Sequence, residues 1–316
     1  MRSRTLLRWL LLVQALAAGV LAVLLHGAGL RPAWLAVLVA ASAVLLVRLL
    51  ITANNFAMSA RFASPTPDSF RLGPGARVRM LGEEYLATML HSSWFMAIGR
   101  LPQRLHEDKG LPPVLLLHGY GCNAAYWTQF ARRLDAAGIS HAGLDLEPVL
   151  ASIDAYVPLV ARAIDALLAA SGSAQVILVG HSMGGLVARA YLRQCGSARV
   201  AHVFTLGTPH HGTSLASLGP GENARQMRYC AAPDVGGKAA AAPVWLASLA
   251  ASESAQTRAL ITSLFTHHDN IVAPQTSCFL PGANNIAFGG VGHVALGRNP
   301  RVLARLLEEI VNVRTR

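Results

Sequence analysis

The sequence predicts an α/β domain with a mostly parallel sheet flanked by helices, preceded by a transmembrane helical hairpin. Three observations support this. Short apolar runs alternate with helical patterns from about residue 112, as in parallel sheets buried on both faces. Two longer apolar runs open the chain, and a Gly-His-Ser-Met-Gly segment follows one of the predicted strands at 180–184.

Composition and length set the domain organisation. The 316 residues suffice for one sizeable domain with an appendage. Only 14% are charged, against about 25% in a typical soluble domain, so part of the chain is expected in lipid. We predict a hairpin over 1–51, a linker and an amphipathic helix over 52–111, and the main domain over 112–316.

The hairpin prediction rests on the apolar runs Trp9 to Leu25 and Trp34 to Val47, the second of which reaches Ile51 if Arg48 snorkels. A span needs about 20 residues, with about 17 near the lower limit. The alternative is a cleaved signal peptide followed by one span or an amphipathic helix.

The net charge of +11 does not indicate nucleic-acid binding. Residues 1–80 carry nine arginines and one acidic residue. This segment therefore supplies +8 of the net charge. Arginines beside apolar runs favour contacts with anionic lipid, and the positive-inside rule places both ends of the hairpin in the cytoplasm, at a bacterial inner membrane.

The main domain is predicted to contain five strands and four helices. Residues 77–98 form an additional helix before it. The strands are predicted at 113–118, 139–146, 175–180, 200–206 and 258–265, and the helices at 126–137, 153–170, 183–194 and 300–313. Residues 213–256 interrupt the alternation. Such a long insertion is usually functional, and its expected place is above the carboxyl edge of the sheet.

Ser182 is the candidate nucleophile. Gly180 and Gly184 flank it in a G-x-S-x-G pattern between a predicted strand and helix. That pattern requires a sharp turn which exposes the serine hydroxyl, with little room for side chains two residues before and after it.

A serine nucleophile needs a base and an orienting acid. His293 lies in a glycine-flanked loop before the last helix, and Asp269 follows the predicted strand 258–265. Their order after Ser182 matches the order serine, acid, histidine. Asp234, inside the insertion, and Glu147, which precedes the serine, are weaker candidates for the acid.

The oxyanion hole is assigned to the backbone amides of Tyr120 and Met183. Tyr120 belongs to the loop after the first core strand, and Met183 follows the nucleophile. His118 then becomes a positioning residue.

The adjacent pairs His210-His211 and His267-His268 do not predict a metal site. A zinc site needs three or four converging ligands, whereas adjacent side chains point apart. We expect a polar rim at these positions, with His210 or His211 shaping the pocket entrance, and we predict neither a metal nor a cofactor.

These stretches resemble the bacterial triacylglycerol lipase and esterase group of α/β-hydrolases over roughly residues 112–312. The matching segments are LLLHGYGCN (115–123), VGHSMGGLVAR (179–189), TLGTPHHGT (205–213), HDNIVAP (268–274) and GVGHVAL (290–296). The resemblance implies the α/β-hydrolase fold, with Ser182 as nucleophile, Asp269 as acid, His293 as base and residues 213–256 as a lid.

The resemblance has gaps. It does not cover residues 1–76. Several such lipases bind calcium through an aspartate two positions after the catalytic histidine, but here that residue is Ala295, so no calcium site is carried over. The resemblance also implies a Cys230–Cys278 disulfide, which would require an oxidising compartment such as the periplasm. Reduced cysteines in a cytoplasmic domain are the alternative, and Cys122 and Cys195 are expected to be buried thiols.

The expected function is hydrolysis of acyl or lipid-like esters at a membrane. An acyltransferase or a thioesterase would form the same acyl-enzyme, and a catalytically inactive membrane scaffold would retain the fold alone. Epoxide hydrolases and dehalogenases place an aspartate at the elbow, where this sequence has Ser182. Those two reactions are therefore disfavoured.

Overall fold

The computed structural model describes residues 2–107, 110–229 and 244–313. Two long helices, α1 (Ser3–Gly27) and α2 (Ala33–Ala60), open the chain and pack against each other. Helix α3 (Pro74–Leu90) continues through a π-helical turn (His91–Phe95) into α4 (Met96–Ile98). Helix α2 therefore extends beyond Ile51, where the sequence analysis ends the hairpin.

The main domain contains six parallel strands in the order β2-β1-β3-β4-β5-β6. The predicted alternation of strands and helices is confirmed, and β6 is an additional strand. Along the chain the elements are β1 (Val114–Leu117), α5 (Thr128–Ala137), β2 (His141–Leu144), α6 (Val157–Ser171), β3 (Val176–His181), α7 (Met183–Cys195), β4 (Val200–Leu206), α8 (Glu222–Gln226), α9 (Val244–Ala251), α10 (Ala255–Ala259), β5 (Ile261–Thr266), β6 (Asn284–Phe288) and α11 (Pro300–Val311).

The sheet separates two apolar layers. Helices α6 and α7 cover one face, and α5 and α11 cover the other. Every residue of β1 and β3 is buried, which explains why these strands are continuous apolar runs. Ala87 of α3 and Met96 of α4 are buried in the apolar layer that contains α5 and α11. Helices α3 and α4 therefore pack directly on the main domain.

The N-terminal helices are fixed to the rest of the chain by polar contacts. Arg4 and Arg8 of α1 donate hydrogen bonds to the carbonyls of Gly99 and Ala97, each at 2.9 Å. In α2, Arg48 donates to the hydroxyls of Ser92 and Ser93. The start of α1 and the second half of α2 therefore contact the segment, residues 91–99, that leads towards the main domain.

The predicted insertion is only partly separate from the core. Met227, Leu246 and Leu249 are buried in the layer formed by α6 and α7. Arg189 of α7 makes a two-pronged ion pair with Glu253, at 2.6 and 2.8 Å, and both side chains are at most 2% exposed. This pair attaches the end of the insertion to the helix that follows Ser182.

The described cysteines differ in their exposure. Cys195 is exposed at the end of α7, so its assignment as a buried thiol is wrong. Cys122 is half-buried, and burial raises the pKa of its thiol to about 12. The Cys230–Cys278 pairing lies partly outside the described residues, because Cys230 falls in the segment 230–243, whereas Cys278 is a free, buried thiol.

Candidate active site

Ser182 occupies the turn between β3 and α7. Its φ of 53° is the only positive φ among the described non-glycine residues, and such strain is typical of functional turns. A Cβ on Gly180 would lie 2.5 Å from Gly184 C, and one on Gly184 would collide with the Leu117 carbonyl. The close approach predicted on both sides of the serine is therefore present, and only glycine fits there.

Asp269 and His293 form a buried pair. Asp269 Oδ2 accepts a hydrogen bond from His293 Nδ1 at 2.7 Å. The other carboxylate oxygen, Oδ1, accepts from the amides of Ile271 at 2.8 Å and Val272 at 2.7 Å. These three bonds fix the orientation of the carboxylate and leave His293 Nε2 as the imidazole nitrogen not engaged by Asp269.

The residue before Ser182 contacts His293 directly. The ring of His181, next to Ser182, packs at 4.6 Å from the ring of His293, and its Nε2 hydrogen-bonds the His293 carbonyl at 3.1 Å. A Cβ on Gly207 would lie 3.2 Å from both Asp269 Oδ2 and His293 Nδ1. Within the described residues no hydrogen bond joins the Ser182 hydroxyl to His293, and such bonds commonly tighten only when substrate is bound.

The amides assigned to the oxyanion hole are available for a ligand. In the part of the chain that the structure describes, neither the Tyr120 amide nor the Met183 amide donates to a protein acceptor. Met183 begins α7, where the first amides have no partner within the helix. Two free donors beside Ser182 are the feature that an oxyanion requires.

His118 and Tyr120 brace the loop that carries the first of these amides. His118 Nε2 accepts from the Leu146 amide at 2.8 Å, and burial lowers the pKa of His118. The Tyr120 hydroxyl donates to the Pro220 carbonyl at 2.7 Å. This bond connects the loop after β1 to the start of the insertion.

His293 has a raised pKa. Burial lowers it, but the charge and hydrogen bond of Asp269 and the charge of Glu84 raise it more. An upward shift means that the surroundings favour the imidazolium, which is the form that a general base takes after accepting a proton.

The structure also shows a residue that sequence reasoning missed. Glu84 of α3 is 1% exposed, and its carboxylate accepts from the amides of Val294 at 3.0 Å and Ala295 at 2.8 Å. These are the two residues after His293. The sequence hints at this contact only through Gly292, because a residue with a side chain there would not leave room for Glu84. A Cβ on Gly292 would lie 2.5 Å from Glu84 Oε2.

The other candidates lie away from this cluster. Glu147 accepts from the Ser3 amide at 3.2 Å and so belongs to the contact with α1, and Asp234 lies outside the described residues. His210 is 1% exposed and contacts Arg189, Thr205 and Ser263, so its assignment to a polar rim at the pocket entrance is wrong.

The remaining histidines give one further grouping. His211 is exposed, whereas His268 Nδ1 accepts from the Gly290 amide at 3.2 Å. Among the described residues, a group of three potential metal ligands is formed instead by His106, Asp135 and His141, whose ligand atoms lie within 4.8 Å of one another. His141 begins β2 and so lies at the amino ends of the parallel strands, whereas Ser182 follows the carboxyl end of β3.

Comparisons with known proteins agree with this architecture. A family model described as alpha/beta hydrolase fold matches residues 112–226. A triacylglycerol lipase of Pseudarthrobacter phenanthrenivorans is 46% identical over 52 residues, which are 16% of each chain. A triacylglycerol lipase of Burkholderia plantarii is 46% identical over 52 residues, 16% of this chain and 14% of that one. The matched segment thus spans less than a fifth of these curated relatives.

Solved structures extend the likeness to about two thirds of the chain. Bacillus licheniformis lipase BlEst2 in its mature form aligns with a TM-score of 0.56 at 18% identity, over 67% of this chain and 97% of that one. Aspergillus fumigatus lipase B aligns with a TM-score of 0.54 at 20% identity, over 66% and 54% of the two chains. At these identities the likeness establishes the fold.

Proposed function

We propose that the chain, which has the α/β-hydrolase fold and is similar to lipases and esterases, is a serine hydrolase of carboxylic esters. The observation that carries the proposal is the buried Asp269–His293 pair beside the strained turn at Ser182. A nucleophile, a base and an orienting acid are the groups that acyl transfer requires.

The proposed reaction has two steps. The Ser182 oxygen attacks the ester carbonyl while His293 Nε2 takes the hydroxyl proton, and the amides of Tyr120 and Met183 stabilise the oxyanion. His293 then protonates the leaving alcohol as the ester C–O bond breaks, which leaves an acyl-serine. Water adds to that carbonyl with His293 again accepting a proton, and the carboxylic acid leaves as the proton returns to Ser182.

The two long helices support a membrane location. Both are long and apolar enough to span a bilayer and expose many large apolar side chains, among them Trp9, Leu16, Trp34 and Leu46. Arg4 and Arg8 at the start of α1 are held by the chain that leads into the main domain. We therefore place both ends of the hairpin on the same side as the active site, and this attachment favours an uncleaved hairpin over a signal peptide.

The position of α2 supports lipid-like substrates. This helix contacts the short 3₁₀ helix Ser214–Leu218 at the start of the insertion, close to the Tyr120–Pro220 hydrogen bond. Leu218 is 66% exposed there. An ester that partitions into the membrane would therefore meet the exposed Leu218, in the segment that Tyr120 binds through the Pro220 carbonyl.

The experiment is an acyl-chain series of p-nitrophenyl esters with the full chain in detergent micelles. We expect kcat/KM to rise at least tenfold from acetate to octanoate, because each buried methylene contributes up to about 0.8 kcal/mol. Product analysis with added alcohols distinguishes transfer from hydrolysis. A profile that is flat, or highest for acetate, would contradict the lipid-like substrate, and ester product in place of free acid would indicate an acyltransferase.

A further inference from the structure

We propose that Glu84 is a positioning residue for His293, which makes helix α3 part of the active site although it lies outside the segment that matches the hydrolase family. The inference rests on the proposed function for its catalytic meaning. Its structural basis is independent, because a buried carboxylate from one part of the chain binds two consecutive amides of the histidine loop.

The geometry indicates an ionised carboxylate. Each Glu84 oxygen accepts one backbone N–H, Oε1 from Val294 and Oε2 from Ala295. A protonated carboxyl would have to turn its O–H toward one of these donors. Burial is the largest influence and raises the pKa of Glu84 above its usual value, although the two amides and the charge of His293 oppose this shift.

The carboxylate acts on His293 in two ways. It fixes the backbone of the two residues after the histidine, while Asn270 Oδ1 accepts from the His293 amide at 2.9 Å. It also adds a second negative charge to that of Asp269, and both charges raise the pKa of His293. The imidazolium formed during catalysis is therefore stabilised by one carboxylate that touches the ring and one that does not.

Other titratable groups around His293 do not replace this effect. His181 packs on the His293 ring, but its own burial and His293 hold the pKa of His181 well below its usual range. Tyr126 stacks on His181 and donates to the Val294 carbonyl at 3.2 Å, and burial holds its pKa well above its usual range. Both are neutral at ordinary pH, so Asp269 and Glu84 are the charges that act on this imidazole.

Glu84 also connects the histidine loop to the N-terminal helices. Helix α3 packs against α2, and the Tyr85 hydroxyl, next to Glu84, donates to the Leu45 carbonyl at 3.0 Å. At Gly292, the absence of a side chain lets α3 approach the loop closely. A displacement of α3 would thus reach the two residues that follow His293.

The test is a titration of His293 by NMR with ¹³C-labelled histidine, on the full chain in detergent micelles. Glu84→Gln is the main variant, His293→Gln assigns the resonance, and Glu83→Gln is the matched control on the exposed neighbouring position. We expect Glu84→Gln to lower the pKa of His293 and Glu83→Gln to leave it unchanged. Glu84→Asp keeps the negative charge and should retain most of the upward shift, so it also serves if the glutamine variant folds poorly.

Kinetics supply the second readout. Glu84→Gln should lower kcat by about 10- to 100-fold, since the glutamine NH₂ group cannot accept from the second backbone amide and the negative charge is lost. KM should change little, because Glu84 does not face the substrate. The sign of the pH effect follows from the base needing to be neutral: a lower His293 pKa moves the acid limb of activity to lower pH.

The outcomes separate the two claims. An unchanged His293 pKa in Glu84→Gln would overturn the role of Glu84, whether or not kcat falls, since a purely structural residue would not alter that titration. If the pKa falls but the wild type hydrolyses no ester, the electrostatic coupling holds and the proposed hydrolase function fails.

Discussion

Ser182→Ala is expected to lower ester turnover by about 10³-fold or more, because it removes the nucleophile while leaving the oxyanion donors in place. The substitution removes one hydroxyl that makes no hydrogen bond to a described residue. The Ser182 carbonyl keeps its bond from the Thr208 hydroxyl at 2.9 Å, and the Ser182 amide keeps its bond to Leu206. The fold of the turn should therefore be preserved.

The measurement is steady-state hydrolysis of a p-nitrophenyl ester, with circular dichroism to verify the fold. Ser217→Ala, at an exposed serine of the insertion, is the matched control and should retain wild-type turnover. Wild-type turnover in Ser182→Ala, with Ser217→Ala also active, would remove Ser182 from the mechanism.

Asp269→Asn is expected to have an effect of comparable size, with a fall in kcat on the order of 10⁴-fold. The reason is specific to this site. Oδ1 of residue 269 accepts from the amides of Ile271 and Val272, so an asparagine would keep its carbonyl oxygen there and turn its NH₂ group toward His293 Nδ1. His293 would then carry its proton on Nε2 and could not accept one from Ser182.

Kinetics of Asp269→Asn over a range of pH test this tautomer argument. Asp165→Asn, which removes an exposed carboxylate paired with Arg199, controls for the loss of charge and should behave as wild type. A residual kcat above a tenth of the wild-type value would show that Asp269 does not hold the base, and would reopen the assignment of the acid.

The sequence predicts the parts of this fold whose signals are local. Continuous apolar runs locate the buried central strands, and the glycines around Ser182 predict a turn that only glycine can flank. Strand β6 (Asn284–Phe288) is not predicted from the sequence, because it is a half-exposed edge strand that begins with two asparagines, residues depleted in strands. Helix α2 continues past Ile51 through a more polar stretch, residues 52–60, which lacks the continuous apolar signal that predicted the hairpin.

The residues of the candidate active site differ in the same way. Asp269 and His293 follow from chain order and loop chemistry. Glu84 does not, because a glutamate on an amphipathic helix usually marks a solvated face, and its burial depends on a packing partner more than 200 residues away. His210 is similar: its partners Arg189 and Ser263 come from two other elements, so a motif of adjacent histidines could not reveal its burial.

The most direct test of the proposed chemistry is covalent labelling of the full chain with a fluorophosphonate, followed by peptide mass spectrometry. The probe reacts with a serine whose hydroxyl is activated by a neighbouring base. We expect a single adduct on Ser182, lost in His293→Gln even though the serine remains. An ester-hydrolysing protein that carries the adduct on another residue, or that hydrolyses esters without acquiring one, would contradict the assignment.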